Sequence, residues 1–117
     1  MVTYTVIIYE APYMKERAYT GLRFVRTLVF EGHKTNLFLI ENGVYVAKKD
    51  QKPSAGTGAN LGEYLSDVIK DGVEVKACGV CLQTRGLTES DLIDGVKQAT
   101  MNDLVEWTTN SDKIISF

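Results

Sequence analysis

The fold of this chain is decided by the stretch Val73-Glu-Val-Lys-Ala-Cys-Gly-Val-Cys-Leu-Gln-Thr-Arg-Gly-Leu87. Its first part is a short β-branched run that predicts a strand, and the part from Cys78 onward predicts a helix. A strand that ends in a thiol and continues into a helix places the sulfur where unpaired backbone N–H groups and the helix dipole favour a thiolate. Because a free thiol is mostly protonated at neutral pH, such surroundings decide whether it reacts. Cys78 is therefore the candidate nucleophile.

Strands and helices alternate along the rest of the chain. Gly32 and Gly72 each supply a helix stop, and Thr88-Glu-Ser-Asp91 and Thr100-Met-Asn-Asp103 are capping-box starts. The alternation predicts a single α/β domain over residues 1–117, a three-layer sandwich with a mainly parallel sheet of about five strands and right-handed crossovers. The predicted strands are 3–9, 36–40, 73–77, 95–99 and 113–117, and the predicted helices are 14–31, 61 to about 72, and segments that begin at 78, 88 and 100.

Parallel sheets place their sites outside the carboxyl ends of the strands. Cys78 ends the third predicted strand, residues 10–12 follow the first, and the turn signal Glu41-Asn-Gly43 follows the second. We therefore expect these three segments to lie along one edge of the sheet.

The composition excludes several classes of protein. The chain has 117 residues, 44% of them hydrophobic, which is enough for one core. The formal net charge is −2 with both signs mixed, so the basic patch needed for direct nucleic-acid binding is missing. The apolar runs are too short to cross a membrane, and the first residues lack the basic start of a signal peptide. We expect a cytoplasmic protein, in which two cysteines three residues apart are more often catalytic, redox-active or metal-binding than a structural disulfide.

Four interpretations of the cysteine pair remain open at this point. Cys78 and Cys81 are buried and inert, or they belong to a zinc site, which needs four ligands although the only histidine, His33, is far away in sequence. A thioredoxin-like dithiol also lies between a strand and a helix, but Pro12 and Pro53 both precede the pair, so no later cis-proline is available. The fourth interpretation is a nucleophilic thiol that carries sulfur or another group covalently.

Four stretches of the chain share a pattern with one known family. The cysteine segment 77–87 is the distinctive one, and the other three are shorter. Together they resemble the DsrE/DsrF-like family, which includes the TusD-type subunits of the sulfur relay in tRNA thiolation. The three shorter stretches are Ala11-Pro-Tyr13 with Ala18 and Phe24, Glu41-Asn-Gly-Val-Tyr45 with Ala47, and Ser111-Asp-Lys-Ile-Ile-Ser-Phe117.

The resemblance implies a small α/β subunit that takes up sulfane sulfur as a persulfide and passes it on. Counting back from Arg85-Gly86, Cys78 falls where the family places its sulfur-accepting cysteine. The family assembles as trimers or hexamers, some homomeric and some mixed, which exchange sulfur with protein donors and acceptors. Neither the residues nor the resemblance indicates a cofactor or a bound metal. The implied activity is that of a sulfurtransferase or sulfur-carrier subunit.

The roles of the two other candidate site residues stay open in the sequence. Cys81 is a resolving thiol, a neighbour that tunes Cys78, or a packing residue, and Arg85 either adds a positive charge beside the sulfur or is a solvated cation at the helix end. If Cys81 attacked a persulfide on Cys78, a Cys78–Cys81 disulfide would form, and the protein would be a thiol-redox protein. A non-catalytic oligomeric binding module is the third hypothesis.

The remaining expectations concern residues away from the cysteines. His33 is expected to be a surface turn residue at the opposite edge of the sheet. The polar stretch 48–60 predicts a mobile loop, and Gly56-Thr-Gly58 within it is either a flexible segment or a lid over the thiol. Tyrosines 9, 13 and 45 are candidates for the pocket mouth. We expect an assembly larger than a monomer because the chain has more large apolar side chains than one sheet needs, namely Tyr4, Phe24, Phe30, Tyr64 and Trp107.

Overall fold

Five parallel strands form one sheet in the computed structural model of the chain, which describes residues 2–54 and 59–117. The strand order is β4-β3-β2-β1-β5, and each neighbouring pair is parallel. The prediction of a mainly parallel α/β sheet is thus confirmed. The strands are β1 (Thr3–Ile8), β2 (Lys34–Leu39), β3 (Glu74–Cys78), β4 (Val96–Ala99) and β5 (Lys113–Ser116).

Helices cover both faces of the sheet. On one face, α1 presents Ala18, Leu22 and Val25 at helical spacing, and all three are fully buried with Val6 and Ile8 of β1. Burying a side chain the size of valine or leucine contributes about 1.5–3 kcal/mol, so this contact is a main source of stability. The helices are α1 (Arg17–Phe30), α2 (Leu61–Lys70), α3 (Gly79–Thr84) and α4 (Met101–Thr109), and 3₁₀ turns span Glu41–Ala47 and Glu89–Asp91.

On the other face, α4 packs over the middle of the sheet. The Trp107 ring meets Phe38 edge-on at 6.2 Å between centroids, and the Lys76 ammonium lies over the Trp107 ring at 4.6 Å. Thr100 begins this helix with the capping box that the sequence predicts, since its hydroxyl accepts the Asp103 N–H and the Asp103 carboxylate accepts the Thr100 N–H.

The boundaries differ from the prediction where the chain turns. The first helix starts at Arg17 rather than 14, and Tyr13 before it has a positive φ of 70°. The predicted turn at 41–43 is the beginning of a longer 3₁₀ segment that continues to Ala47. Gly43 lies directly against β1, because a Cβ at this position would collide with the carbonyl oxygen of Ile8.

The predicted loop 48–60 is held in place where the structure describes it. The Gln51 amide donates to the carbonyl oxygens of Val46 at 2.8 Å and Lys48 at 3.0 Å, and the Asn60 amide donates to the Gln51 carbonyl oxygen at 2.8 Å. The predicted flexible segment or lid at 56–58 lies outside the described residues. Within residues 2–54 and 59–117, no helix has the length and apolar character needed to cross a bilayer.

The large apolar residues expected at an assembly interface are mostly part of the core. Tyr4, Phe24, Tyr64 and Trp107 are half-buried and pack against it, and Phe30 is exposed. Other large apolar side chains are exposed, among them Val80 of α3, Met101 and Val105 of α4, and Ile114 of β5.

Candidate functional site

Cys78 lies at the junction of β3 and α3, as the sequence predicts. It is the last residue of the strand and the N-cap of the helix, and its Sγ accepts the backbone N–H of Cys81 at 3.3 Å. The first N–H groups of a helix have no partner within the helix, so an N-cap side chain satisfies one of them. Here a sulfur atom takes the position that serine or aspartate usually occupies, and it receives a hydrogen bond that stabilises negative charge on sulfur.

The Cys78 side chain is mostly covered. The residue is 8% exposed, because it belongs to the hydrophobic core cluster, pairs with Ala99 of β4 and lies beneath the first turn of α3. Only a small part of the Cys78 surface is therefore open to solvent. Val80, two residues further, is 73% exposed, so the protein surface begins directly beside the thiol.

Cys81 is the more exposed of the two free cysteines and is half-buried. Its Sγ accepts the backbone N–H of Glu41 at 3.1 Å. Burial raises the pKa of the Cys81 thiol, and its hydrogen bond with Cys78 raises the pKa further, while the Glu41 N–H and the charge of Arg85 lower it. The net effect is an increase, so Cys81 is a protonated thiol at neutral pH.

Arg85 is bound to its surroundings rather than free in solvent. Its Nε and Nη2 both donate to the side-chain oxygen of Asn42, at 3.1 and 2.9 Å, and its Nη1 donates to the carbonyl oxygen of Cys81 at 3.0 Å. The interpretation of Arg85 as a solvated cation is wrong for this reason. The guanidinium group acts on Cys81 through its charge and joins α3 to the turn that starts at Glu41.

The turn at Glu41 contains a backbone conformation that residues other than glycine rarely adopt. Glu41 has a φ of 54°, in the left-handed region, which costs about 1–3 kcal/mol. Hydrogen bonds fix the turn to the strand ends, since Ile40 donates to Ile8 at 3.0 Å and Gly43 donates back to Ile40 at 2.9 Å. As a result the Glu41 N–H is directed at the Cys81 sulfur.

Sequence reasoning missed Asn42, which it treated only as part of a turn signal. It also missed the backbone N–H of Glu41 as a sulfur ligand. The segment 41–43 does lie at the edge of the sheet with the cysteines, as expected. Residues 10–12 follow β1 at the same edge, where the Ala11 N–H donates to the Glu10 carboxylate at 3.3 Å.

The other sequence candidates lie away from the cysteines. The Tyr13 hydroxyl donates to the Gln51 side chain at 2.6 Å and accepts the Leu61 N–H at 3.0 Å, so it secures the loop before α2. His33 is half-buried at the start of β2 with its ring 5.4 Å from that of Tyr4, and its buried Nδ1 has no hydrogen-bond partner among the described residues. It is thus a packing residue rather than a surface turn residue.

The best-formed cavity lies away from the cysteines, and the described residues contain no group of metal ligands. A cavity of about 620 Å³ lies between α2 and the segment Lys48–Lys52, and neither cysteine lines it. In the part of the chain that the structure describes, no three side chains of His, Cys, Asp or Glu are grouped so that they could hold a metal ion. The chemistry available at this edge of the sheet is therefore that of two neighbouring thiols with backbone N–H donors.

By its fold and site, this protein is a parallel α/β domain with a free cysteine at the end of its third strand. Comparisons with known proteins identify its family. The DsrE/DsrF-like family model matches residues 3–117, and the chain belongs to this family. The family resemblance of the sequence is thereby confirmed. This is a family associated with sulfur relay.

Curated relatives cover almost the whole chain. The chain is 54% identical over 114 residues to the uncharacterized protein MJ0989 of Methanocaldococcus jannaschii, covering 97% of this chain and 98% of the relative. It is 52% identical to the uncharacterized protein MK0008 of Methanopyrus kandleri, covering 97% and 92% of the two chains. It is also 32% identical to the protein YchN of Escherichia coli, covering 96% of each chain.

Solved structures agree with the fold. The crystal structure of YchN from E. coli matches with a TM-score of 0.91 over 100% of both chains. The protein of unknown function MTH1491 from Methanobacterium thermoautotrophicum matches with a TM-score of 0.80 at 20% identity, over 98% of this chain and 99% of that one, which shows the fold alone.

Proposed function

We propose that the protein is a sulfur-relay protein, which carries sulfane sulfur as a persulfide on Cys78 and passes it to a partner protein. The observation that carries the proposal is the position of the Cys78 sulfur at the start of α3, where it accepts a backbone N–H and has a second thiol beside it. Membership of the DsrE/DsrF-like family supports the same chemistry.

Loading is a thiol exchange that needs no oxidant. The Cys78 thiolate attacks the outer sulfur of a donor persulfide, so a bond forms between the two sulfur atoms, the bond within the donor breaks, and the donor leaves as a thiolate. The product is Cys78–S–SH. The rate depends on the thiolate fraction, on its nucleophilicity and on the pKa of the leaving thiol.

Transfer repeats the exchange in the opposite direction. A cysteine of the acceptor attacks the outer sulfur, and the Cys78 sulfur leaves as a thiolate. The Cys81 N–H donates to this sulfur at 3.3 Å, so negative charge that develops on it during transfer is stabilised without rearrangement. Hydrogen bonds to charged groups contribute about 1.5–3 kcal/mol, enough to change the rate tenfold or more.

The partners are proteins that approach α3 from outside. Val80 lies between the two cysteines and is 73% exposed, which marks the surface where a donor or acceptor docks. Because Cys78 is only 8% exposed, docking must bring the partner's own sulfur to the first turn of α3. We place the protein in the reducing cytoplasm, where thiols such as these two remain free.

We further propose a homo-oligomer of three or six copies, or a mixed complex with related subunits. The exposed apolar side chains Met101, Val105 and Ile114 on the α4 side are candidates for the contact between subunits. Light scattering at micromolar concentration tests this proposal, and a monomeric mass would overturn it.

A second candidate function is a thiol-redox protein that cycles through a Cys78–Cys81 disulfide. One observation favours it, namely that the Cys81 backbone N–H donates to the Cys78 sulfur at 3.3 Å, so the two free cysteines lie side by side one helical turn apart.

Intact mass spectrometry after incubation with inorganic polysulfide separates the hypotheses. The carrier gains one sulfur atom, and the gain is lost in Cys78→Ser but kept in Cys81→Ser. A loss of two hydrogen atoms in the wild type, together with no added sulfur in Cys81→Ser, supports the redox protein instead. An unchanged mass in every variant leaves only a binding module without covalent chemistry.

A further inference from the structure

Three connected contacts link Asn42 to the reacting sulfur. Asn42 accepts two donors of Arg85, Arg85 donates to the carbonyl oxygen of Cys81, and the Glu41 N–H next to Asn42 donates to the Cys81 sulfur. The Cys81 N–H and thiol in turn meet the Cys78 sulfur. Asn42 touches neither sulfur in this arrangement, and its effect on the site runs through Arg85 and the turn.

These contacts help to hold the turn at Glu41 in a backbone conformation that is unfavourable for a residue other than glycine. Glu41 is in the left-handed region at a φ of 54°, a conformation that persists only when its surroundings impose it. Two of those surroundings are visible, namely the close contact of Gly43 with the Ile8 carbonyl and the pair of hydrogen bonds from Arg85 to Asn42. The second ties the turn to Arg85 at the end of α3, so it holds the Glu41 N–H and the Cys81 sulfur at a fixed separation.

We propose that Asn42 is a positioning residue, which keeps Cys81 competent to resolve a persulfide on Cys78 when no acceptor protein is docked. This inference rests on the proposed function, since it requires a persulfide on Cys78. It assigns Cys81 the role of a resolving thiol, and it makes the turn at Glu41 the feature that sets the lifetime of the carried sulfur.

The resolving step balances within the site. The Cys81 thiolate attacks the inner sulfur of Cys78–S–SH, so the Cys78–Cys81 disulfide forms, the bond to the outer sulfur breaks, and hydrosulfide leaves. The sulfane sulfur is reduced to hydrosulfide while the two cysteines are oxidised to the disulfide. The proton of the Cys81 thiol passes to solvent. A dithiol reductant then restores the two thiols.

The direction of the effect follows from the groups around Cys81. Two groups lower the pKa of this thiol, the Glu41 N–H and the Arg85 charge, and two raise it, burial and the neighbouring Cys78. Removing the Asn42 side chain loosens the link between the turn and α3 and frees Arg85, so the Glu41 N–H and the Arg85 charge lower the pKa of Cys81 less and this pKa rises. The rise in pKa reduces the thiolate fraction by more than it increases the nucleophilicity of the thiolate, so resolution slows near neutral pH.

The experiment measures hydrosulfide release from the full chain. The protein is loaded with inorganic polysulfide, freed of excess reagent, and followed across pH by sulfide release and by the mass of the disulfide form. Four variants are compared with the wild type: Asn42→Ala, Asn42→Asp, Arg85→Lys and Cys81→Ser. Asn42→Asp keeps an acceptor oxygen for Arg85. Arg85→Lys keeps the positive charge but loses the paired hydrogen bonds.

We expect Asn42→Ala to load Cys78 normally and to release hydrosulfide more slowly than the wild type near neutral pH, with its pH profile moved to higher pH. Asn42→Asp restores release towards the wild-type rate, Arg85→Lys is slow like Asn42→Ala, and Cys81→Ser releases none. A merely structural role of Asn42 would change loading and melting temperature and leave the pH profile in place. If Asn42→Ala does not fold, Arg85→Lys carries the same test.

Two results would overturn the inference while the proposed function stands. One is a wild-type persulfide on Cys78 that releases no hydrosulfide even at alkaline pH, and the other is an Asn42→Ala variant with the wild-type rate and pH profile. A wild-type chain that takes up no sulfur at all overturns the proposed function itself.

Discussion

The contact of Gly43 with β1 gives the sharpest prediction for stability. We expect Gly43→Ala to destabilise the protein because the new Cβ would collide with the carbonyl oxygen of Ile8, a backbone atom at the end of β1. Overpacking of this kind costs about 1–3 kcal/mol. Moving the turn also breaks the hydrogen bond from Gly43 to Ile40, at 2.9 Å, which contributes about 1 kcal/mol.

The two effects together amount to about 3 kcal/mol. For a domain of this size, 1 kcal/mol corresponds to about 4 °C, so the melting temperature should fall by about 12 °C. Thermal unfolding followed by circular dichroism measures the shift, and urea unfolding gives the free energy of unfolding directly.

Gly32→Ala is the matched control. Gly32 has a φ of +85° and nothing within 4 Å of the position where a Cβ would be, so only conformational strain of about 1 kcal/mol is added. Gly43→Ala should therefore cost clearly more than Gly32→Ala. Wild-type stability in Gly43→Ala, or a larger loss in Gly32→Ala, would refute the close contact between the turn and β1.

Two further predictions concern hydrogen bonds away from the cysteines. Hydrogen bonds from the Thr100 backbone and hydroxyl lower the pKa of Asp103, so its carboxylate stabilises the fold at pH values above the ordinary pKa of 3.8, and this contribution is lost as the pH falls through the lowered folded-state pKa. In Asp103→Asn the free energy of unfolding should therefore depend less on pH in the acid range. The same pH dependence as in the wild type would contradict the capping box. Tyr13→Phe removes the hydroxyl that donates to Gln51 and accepts the Leu61 N–H, so the free energy of unfolding should fall by about 1 kcal/mol. The Leu61 amide hydrogen should also exchange faster with deuterium. An unchanged exchange rate would show that the hydroxyl does not secure this loop.

Local signals in the sequence predicted the elements of the fold. The capping box at Thr100, the glycine stops at Gly32 and Gly72, and the strand that runs into Cys78 each act within a few residues. Such interactions can be recognised in one sequence because both partners lie in the same short stretch. The edge of the sheet that holds the site follows from the parallel topology alone.

Contacts between distant segments were not predictable in the same way. Asn42 and Arg85 are separated by 43 positions, and only the order of the strands brings their side chains together. The burial of Cys78 likewise depends on β4 and on the first turn of α3, which no local pattern fixes. The role of Arg85 stayed open in the sequence because its partner, Asn42, lies in another segment.

The position of the extra sulfur tests the central claim most directly. Trypsin cuts after Lys76 and after Arg85, so both cysteines fall in one peptide of the alkylated, polysulfide-treated protein, and fragmentation of that peptide assigns the sulfur to one residue. The account predicts added sulfur on Cys78. Sulfur found on Cys81 alone, or a peptide with neither added sulfur nor a Cys78–Cys81 disulfide, would contradict it.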